Sequence, residues 1–270
     1  MTTETNPLAD PTSWNLMADD YLAEVVPHFE RYAADAIRLA APSVSARIAD
    51  VACGPGTLAM LAAASFAEVC ALDFSTEMVE RLRERAKRAG VRNLRVEVGD
   101  GQALPWPDGQ FDAAFSLFGL FLFTDRARGL LELRRVLRSS GVAVISSWVA
   151  AERPPIIKII RKALQKYVPG MPDAEQSPLG TEDLLRAEMG TAGFHDVVIE
   201  KVVHPQEFAS LDEAWLSMRR ALLPVVLLRR RLPEPEYAKV EYDVRALLES
   251  ELGRGPQIVN LPAWLARGAA

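Results

Sequence analysis

A glycine-rich turn is the first feature of this chain whose residue types and spacing predict ligand chemistry. Gly54-Pro55-Gly56 follows a short apolar run and precedes a Leu- and Ala-rich segment, so a strand, a sharp turn and a helix are expected. Glycine is needed in such a turn where a Cβ would collide with a ligand or forbid the backbone conformation. The helix N-terminus that follows presents free N–H groups to a carboxylate or a phosphate. An ordinary turn between a strand and a helix would share part of this pattern.

Three aspartates accompany the turn, each at or just after the end of a predicted strand: Asp50, Asp73 and Asp100. Ligands of open α/β sheets bind outside the carboxyl ends of the strands. A carboxylate at the end of the second strand, such as Asp73, can accept from both vicinal hydroxyls of a ribose. Asp100, after the third strand, could accept from an exocyclic amine of adenine. All three could instead be helix caps, although capping alone leaves the glycine turn unexplained.

Alternating strands and helices must position these residues. The predicted strands are apolar nearly throughout, and they cover residues 47–52, 68–73, 94–98, 111–117 and 142–149. The helices between them are expected at about 57–65, 75–89 and 125–138. This rhythm predicts a parallel sheet that is covered on both faces.

The flanking segments are predicted to cover this core. Residues 1–13 are polar and indicate a tail, and one long helix is expected from Trp14 to Ala41. Prolines interrupt residues 151–180, and Pro262 argues against a central place for the last strand. Later helices are expected at 156–164, 181–192, 211–228 and 236–252, and later strands at 197–203 and 258–266.

Composition narrows the classes of function. The chain has 270 residues and a formal net charge of −5, which argues against a nucleic-acid partner. Cys53 and Cys70, with three scattered histidines, exclude a disulfide framework and a four-ligand zinc site, so no metal is expected. The two cysteines are predicted to be buried thiols of a protein in a reducing compartment, the cytoplasm. The first residues lack the basic start and apolar run of a signal peptide, and no apolar stretch predicts a membrane span.

Taken together and in order, the motifs of this chain resemble those of class I S-adenosylmethionine (SAM)-dependent methyltransferases. Asp50-Val-Ala-Cys-Gly-Pro-Gly-Thr57 resembles their glycine motif, and Ala71-Leu-Asp-Phe-Ser-Thr-Glu-Met78 resembles their acidic ribose motif. The stretch 99–112 resembles the third and fourth motifs, and residues 116–119, 132–138 and Gly141 continue the match. The chain is most similar to the subgroup that includes ubiquinone and menaquinone C-methyltransferases and many small-molecule methyltransferases.

The resemblance covers about residues 14–149, with a weaker similarity at 192–194. It implies a doubly wound, mostly parallel seven-stranded α/β sheet, the Rossmann-like methyltransferase fold, with a helical cap. The expected divisions are a tail and lid helix over 1–42, a cofactor-binding core over 43–150, and the remaining strands with an inserted cap over 151–270.

The resemblance also implies which residues contact the cofactor, SAM. Gly54 and Gly56 would line its methionine part, Asp50 would face its amino group, Asp73 would hold its ribose hydroxyls, and Asp100 would read its adenine edge. The full implied set is Tyr21, Asp50, Ala52, Gly54, Gly56, Asp73, Phe74, Met78, Asp100, Gly101, Gln102 and Ser116.

Several of these positions have a second interpretation. Met78 could be a core residue, Ser116 a plain strand residue, and Tyr21 and Trp14 packing residues instead of a lid over the cofactor. Ala52 stands where many family members have the first glycine, which is tolerable if its φ is negative. A second departure, Ser139-Ser140 in place of Pro-Gly, is expected in a turn away from the site.

The predicted reaction is in-line methyl transfer to a small acceptor, for which the protein mainly supplies proximity, alignment and a dry pocket. The apolar residues Phe118 and 120–123 are either core or the wall of a pocket. As a pocket wall they favour an apolar or aromatic acceptor, together with the cap residues Leu222, Leu223, Val225 and Val226. No catalytic residue is assigned. His28 and His204 could approach the acceptor, and His195 is expected to be exposed.

Two other classes of function stay open at this stage, and the oligomeric state is undetermined. An NAD-dependent oxidoreductase would use Gly54-x-Gly56-x-x-Ala59 as a dinucleotide fingerprint with Asp73 as its ribose acid, but the chain contains no Tyr-x-x-x-Lys pair. A non-catalytic binding protein could keep the same fold.

Overall fold

A mixed seven-stranded sheet forms the centre of the protein, which we analysed as a computed structural model that describes residues 7–168 and 178–270. The strand order is β3-β2-β1-β4-β5-β9-β6, and β7 and β8 pair in a separate two-stranded sheet. The strands are β1 Arg47–Val51, β2 Glu68–Asp73, β3 Leu94–Val98, β4 Phe111–Ser116, β5 Leu137–Trp148, β6 His195–Val202, β7 Pro205–Phe208, β8 Gln257–Asn260 and β9 Ala263–Ala269.

The helices lie on both faces of the sheet and above its carboxyl edge. They are α1 Pro11–Asn15, α2 Ala18–Glu24, α3 Val26–Ala40, α4 Thr57–Ala63, α5 Thr76–Arg88, α6 Arg126–Val136, α7 Pro155–Leu164, α8 Glu182–Thr191, α9 Leu211–Ala221, α10 Leu223–Arg231 and α11 Glu234–Leu252. One buried apolar cluster contains Phe111, Leu130 and Ile145, and a second contains Ile48, Leu58 and Phe115. Two buried layers around an apolar sheet confirm the predicted α/β class.

The first five strands are parallel, as predicted, because α4, α5 and α6 return the chain to the same edge. The prediction for the last strand was wrong. β9 runs antiparallel between β5 and β6, at the inner position that Pro262 argued against. Pro262 lies just before β9, where no ladder N–H is needed, and its carbonyl accepts the Val149 N–H at 3.0 Å.

The prediction of one long N-terminal helix was also wrong. Three helices replace it, and Pro27 lies in the first turn of α3, where a missing N–H is tolerated but α2 cannot continue. The predicted tail is partly ordered, since Asp10 caps α1 through a 2.9 Å bond from the Thr12 N–H. Residues 1–6 of that tail lie outside the described residues.

The cap differs from its prediction in similar ways. The single helix expected over 211–228 is two helices, α9 and α10, and Pro224 occupies the first turn of the second. Trp215, Val240 and Ile160 belong to a buried cluster shared by α7, α9 and α11. Residues 169–177 of the proline-rich stretch lie outside the described residues.

The structure also tests the predictions for Ser139-Ser140 and for the two cysteines. Ser139-Ser140 belongs to an exposed extension of β5, which begins at Leu137, and not to a turn. Cys53 and Cys70 are buried free thiols, as predicted. None of the described helices combines the length and apolar character needed to cross a bilayer.

Candidate active site

A cavity of about 260 Å³ lies at the carboxyl ends of β1, β2, β3 and β4. Nine of the twelve predicted cofactor positions line it: Tyr21, Ala52, Gly54, Asp73, Phe74, Met78, Asp100, Gly101 and Gln102. The wall is completed by residues that the sequence did not assign to the cofactor: Leu8, Ala9, Trp14, Leu72, Gly99, Leu117, Phe118, Gly119, Leu122, Phe123 and Thr124. The predicted positions Asp50, Gly56 and Ser116 lie behind this wall.

Asp73, at the end of β2, is buried and organises the loop opposite. Its Oδ2 accepts the Gly54 N–H at 2.8 Å, and its Oδ1 accepts the Ser75 N–H at 2.9 Å. Burial raises the pKa of this carboxyl to about 6, against the lowering effect of those backbone donors. A carboxylate has about four acceptor sites, so the side chain can also accept from a bound hydroxyl.

Asp50, in β1, is buried as well, and its Oδ2 finds no hydrogen-bond partner within the described part of the chain. Burial raises the pKa of Asp50 to about 7, and the neighbouring Asp73 charge adds to the rise. An unpaired buried carboxyl is costly, so such a group marks a place where a ligand donor or cation is favourable.

The two glycines of the turn differ in what requires them. Gly54 has φ +54°, and a Cβ there would project into the cavity with only a Tyr21 carbon, at 3.9 Å, nearby. Gly56 has φ +87°, and a Cβ there would lie 2.1 Å from Leu82. Gly54 therefore leaves room for a ligand, whereas Gly56 leaves room for helix α5.

The condition under which alanine would be tolerable at position 52, a negative φ, is not met. Ala52 has φ +57°, the left-handed region that glycine prefers, at the point where the chain leaves β1. Its methyl group faces Gly119, where an added Cβ would lie 2.4 Å away. Strained alanine at the cavity wall thus explains why residue 119 is glycine.

The loop after β3 brings Asp100, Gly101 and Gln102 to the cavity. The Asp100 Oδ1 accepts both the backbone N–H of Gln102, at 2.8 Å, and its side-chain amide, at 3.0 Å. A Cβ on Gly101 would lie 2.4 Å from Phe123, so packing alone requires glycine there.

The N-terminal segment closes the cavity from outside. Trp14 and Tyr21 line it, and their rings meet edge to face at 6.3 Å. Burial and the Asp73 carboxylate raise the pKa of the Tyr21 phenol. Asn15, which sequence analysis missed, fastens this segment to α5 by accepting from Ser75 Oγ at 2.7 Å.

Met78 and Ser116 had two interpretations each. Met78 serves both, because it lines the cavity and packs with Met17 and Leu223 in a buried cluster. The Ser116 Oγ is buried, has no partner among the described residues, and lies 3.5 Å from where a Gly119 Cβ would be. Ser116 is therefore behind the wall and not on it.

An apolar wall follows β4, where Leu117, Phe118 and Phe123 line the cavity. Phe118 has φ +57°, donates its N–H to Ser146 Oγ at 2.8 Å, and stacks on Trp148 at 4.1 Å. Both interpretations of this stretch apply: Phe118, Leu122 and Phe123 line the cavity, whereas Leu120 is fully buried and Phe121 packs against the core.

The histidines lie away from the cavity, judged from the described residues. His204 Nε2 is 2.7 Å from Asp35, and its ring packs on Tyr32. His28 is half-buried near Phe208, and burial lowers its pKa. His195 is exposed, as expected, although it begins β6 and does not lie in a loop.

These features fit SAM. Its ammonium and sulfonium are cations that suit the Asp73 carboxyl at the cavity and, at longer range, the buried Asp50 carboxyl behind it. Its ribose diol suits the remaining acceptor sites of Asp73, and Gly54 leaves space beside them.

Comparison with known proteins points the same way. Residues 48–141 match the family described as "Methyltransferase domain". The ubiquinone/menaquinone biosynthesis C-methyltransferase UbiE of Geotalea uraniireducens is 36% identical over 121 residues, covering 43% of this chain and 50% of that protein. The demethylmenaquinone methyltransferase of Thermus thermophilus is 34% identical over 141 residues, covering 52% of this chain and 64% of that protein. The chain thus spans about half to two thirds of these relatives.

A solved structure with a similar fold is the YcgJ protein of Bacillus subtilis, with a TM-score of 0.59 and 18% identity. The match covers 88% of this chain and 97% of that one. With the family match over the glycine, ribose and adenine motifs, this likeness confirms the predicted fold. Residues 48–141 of this chain thus match a methyltransferase domain, on a fold shared with solved structures.

Proposed function

We propose that this protein binds SAM in the described cavity and transfers its methyl group to a small apolar or aromatic acceptor. The proposal rests on one observation: Asp73, Gly54, the Asp100 loop and the apolar residue Phe118 all line the same cavity. The curated relatives named as methyltransferases support the same activity.

The residues of this chain have separate tasks in the proposal. Asp73 accepts from the ribose hydroxyls, Asp50 balances the ammonium charge, and the Asp100 loop receives the adenine edge. Tyr21 and Trp14 cover the bound cofactor and keep water out.

SAM would supply an already activated methyl group: the acceptor atom bonds to the methyl carbon as the carbon–sulfur bond breaks, S-adenosylhomocysteine leaves with the electron pair, and the proton that the acceptor loses passes to solvent. The protein contributes alignment of donor and acceptor, in a site from which water is excluded. The apolar wall of Leu117, Phe118 and Phe123 suits that purpose.

The acceptor class follows from this wall. Phe118 lies in a group of rings with Phe29, Tyr32 and Trp148, whose centroids are 4.1 to 6.1 Å apart. Of these four rings Phe118 lines the cavity, and an aromatic wall residue favours a planar apolar acceptor by stacking or edge contacts. The free cysteines Cys53 and Cys70 agree with a cytoplasmic location, which we include in the proposal.

The test is a transfer screen with the purified full chain and SAM that carries a deuterated methyl group. We expect phenols, quinols or aromatic amines to gain one labelled methyl group by mass spectrometry. Methylation of polar aliphatic compounds or macromolecules alone would remove the acceptor class. Tight binding of S-adenosylhomocysteine without transfer to any acceptor would favour a non-catalytic binding protein.

A further inference from the structure

Helix α6 carries a buried charge that the reaction does not use. Glu132 is only 5% exposed, which is unusual for a carboxylate. Its Oε2 accepts the Leu104 N–H at 2.8 Å, and both oxygens accept from Arg135, at 2.8 and 2.7 Å. The Arg135 guanidinium lowers the pKa of Glu132 and keeps it ionised. Within the motif at 132–138, Glu132 and Arg135 thus form an ion pair that contacts the loop after β3.

Arg135 extends the pair along that loop. Its Nη1 donates to the Trp106 carbonyl at 2.8 Å and to Asp108 Oδ1 at 2.7 Å. Its Nη2 donates to the Leu104 carbonyl at 3.0 Å. A planar guanidinium with five donors can hold several acceptors in fixed geometry, which the single ammonium of lysine cannot reproduce.

The start of α6 holds the same loop at a second point. Gln102 Oε1 accepts the Asp125 N–H at 2.7 Å and the Thr124 hydroxyl at 3.0 Å, and Arg128 Nε donates to the Gln102 carbonyl at 3.2 Å. Helix α6 therefore holds the loop of residues 100–108 at two points. The cavity-lining residues Asp100 and Gly101 lie at the end of the loop that the start of α6 fixes through Gln102.

We propose that Glu132 and Arg135 are positioning residues for the cofactor: through the backbone at Leu104 and Trp106 they fix the loop that presents Asp100 and Gly101 to the cavity. The inference rests on the proposed function, because that function makes this loop the adenine wall. A preorganised loop lowers the ordering cost that binding would otherwise carry.

Variants of Glu132 and Arg135 distinguish a positioning role from a role in stability alone. In E132A the Leu104 N–H and the Arg135 donors lose a buried acceptor, whereas E132Q keeps an oxygen for Leu104. R135K keeps the positive charge but loses the planar guanidinium with its several donors. The control is R138K, which alters an exposed ion pair with Asp112 in the same region.

Two measurements on the full chain test the proposal: calorimetric titration with S-adenosylhomocysteine, and hydrogen–deuterium exchange of residues 100–108. We expect E132A and R135K to weaken binding about tenfold or more, with faster loop exchange. E132Q should lie between them and the wild type, and R138K should match the wild type. Once an acceptor is known, the KM for SAM should rise while kcat stays nearly constant.

Unchanged loop exchange and unchanged affinity in E132Q and R135K, with only a lower melting temperature, would overturn the positioning role. The two proposals fail separately. A wild type that binds no S-adenosylhomocysteine defeats the proposed function and with it the cofactor role of the pair, while variants indistinguishable from a binding-competent wild type defeat the inference alone.

Discussion

The Asp73 carboxylate accepts the Gly54 N–H at 2.8 Å, so the acid at the end of β2 holds the glycine loop that leaves β1. Its other oxygen accepts the Ser75 N–H at the start of α5. One buried side chain thus sets the shape of two neighbouring loops and keeps lone pairs for a ligand. Loop geometry and the proposed ribose contact therefore depend on the same residue.

Asp73→Asn is expected to weaken S-adenosylhomocysteine binding by about 100-fold, or about 3 kcal/mol, because charge-assisted acceptors for two hydroxyls are lost. Calorimetry measures the affinity, and thermal unfolding reports the smaller stability effect. Asp196→Asn, at an exposed position, is the control. Binding within threefold of the wild type, roughly 0.6 kcal/mol, would contradict the assignment.

Cofactor affinity should depend on pH through Asp50 and Asp73, whose pKa values burial raises to about 7 and about 6. In the free protein these groups hold protons that the unfolded chain has lost. Their contribution to stability is therefore full below about pH 4 and is lost as the pH rises through 6 and 7.

A cationic ligand prefers the ionised carboxyls, so binding of SAM should release protons and strengthen between about pH 5.5 and 8. Titrations in two buffers with different ionisation enthalpies measure the release. Asp50→Asn should reduce it. Affinity that falls as the pH rises would show that these groups do not face the cation.

Ala52 and Gly119 should behave as a coupled pair. Ala52→Gly relieves a left-handed alanine and is expected to raise the free energy of unfolding by about 1 kcal/mol. Gly119→Ala should destabilise the fold by about 1–3 kcal/mol, because the two methyl groups would clash.

In the double variant, Ala52→Gly removes the atom that Gly119→Ala meets, so most of the loss should be recovered. Urea unfolding of the four proteins completes the cycle. Simple additivity of the two effects would show that the contact does not limit residue 119.

Gly54→Ala is expected to affect mainly ligand binding, and Gly56→Ala mainly the stability of the fold. The first adds a Cβ toward the cavity, so we expect weaker S-adenosylhomocysteine binding with a stability loss of only about 1 kcal/mol. The second drives a Cβ into Leu82, so a loss of roughly 2 kcal/mol or more is expected. Equal effects of both variants on binding and on stability would contradict this division.

Much of the fold and site could be predicted because local chemistry determines it. Apolar strands, the Ser75 cap and the glycine turn predict β1–α4–β2–α5, and carboxyl ends of parallel strands converge, which brings Asp73 and the Asp100 loop together. The motif spacing therefore located nine of the twenty residues that line the cavity.

The remaining features depend on tertiary contacts that no local pattern encodes. The positive φ of Ala52 is maintained by the loop around it, and the need for Gly56 comes from Leu82 on a later helix. Asn15 lies in a stretch whose helices break at points set by packing, and its partner Ser75 is 60 residues away. Pro262 indicated an edge strand because its position just outside β9 could not be seen from composition.

The most direct test is a calorimetric titration of the purified full chain with S-adenosylhomocysteine, with NADH titrated in parallel. One molecule of S-adenosylhomocysteine should bind per chain with micromolar affinity or better, roughly −8 kcal/mol, and NADH should give no heat. Absence of heat with S-adenosylhomocysteine from folded protein, or tight binding of NADH instead, would contradict the account.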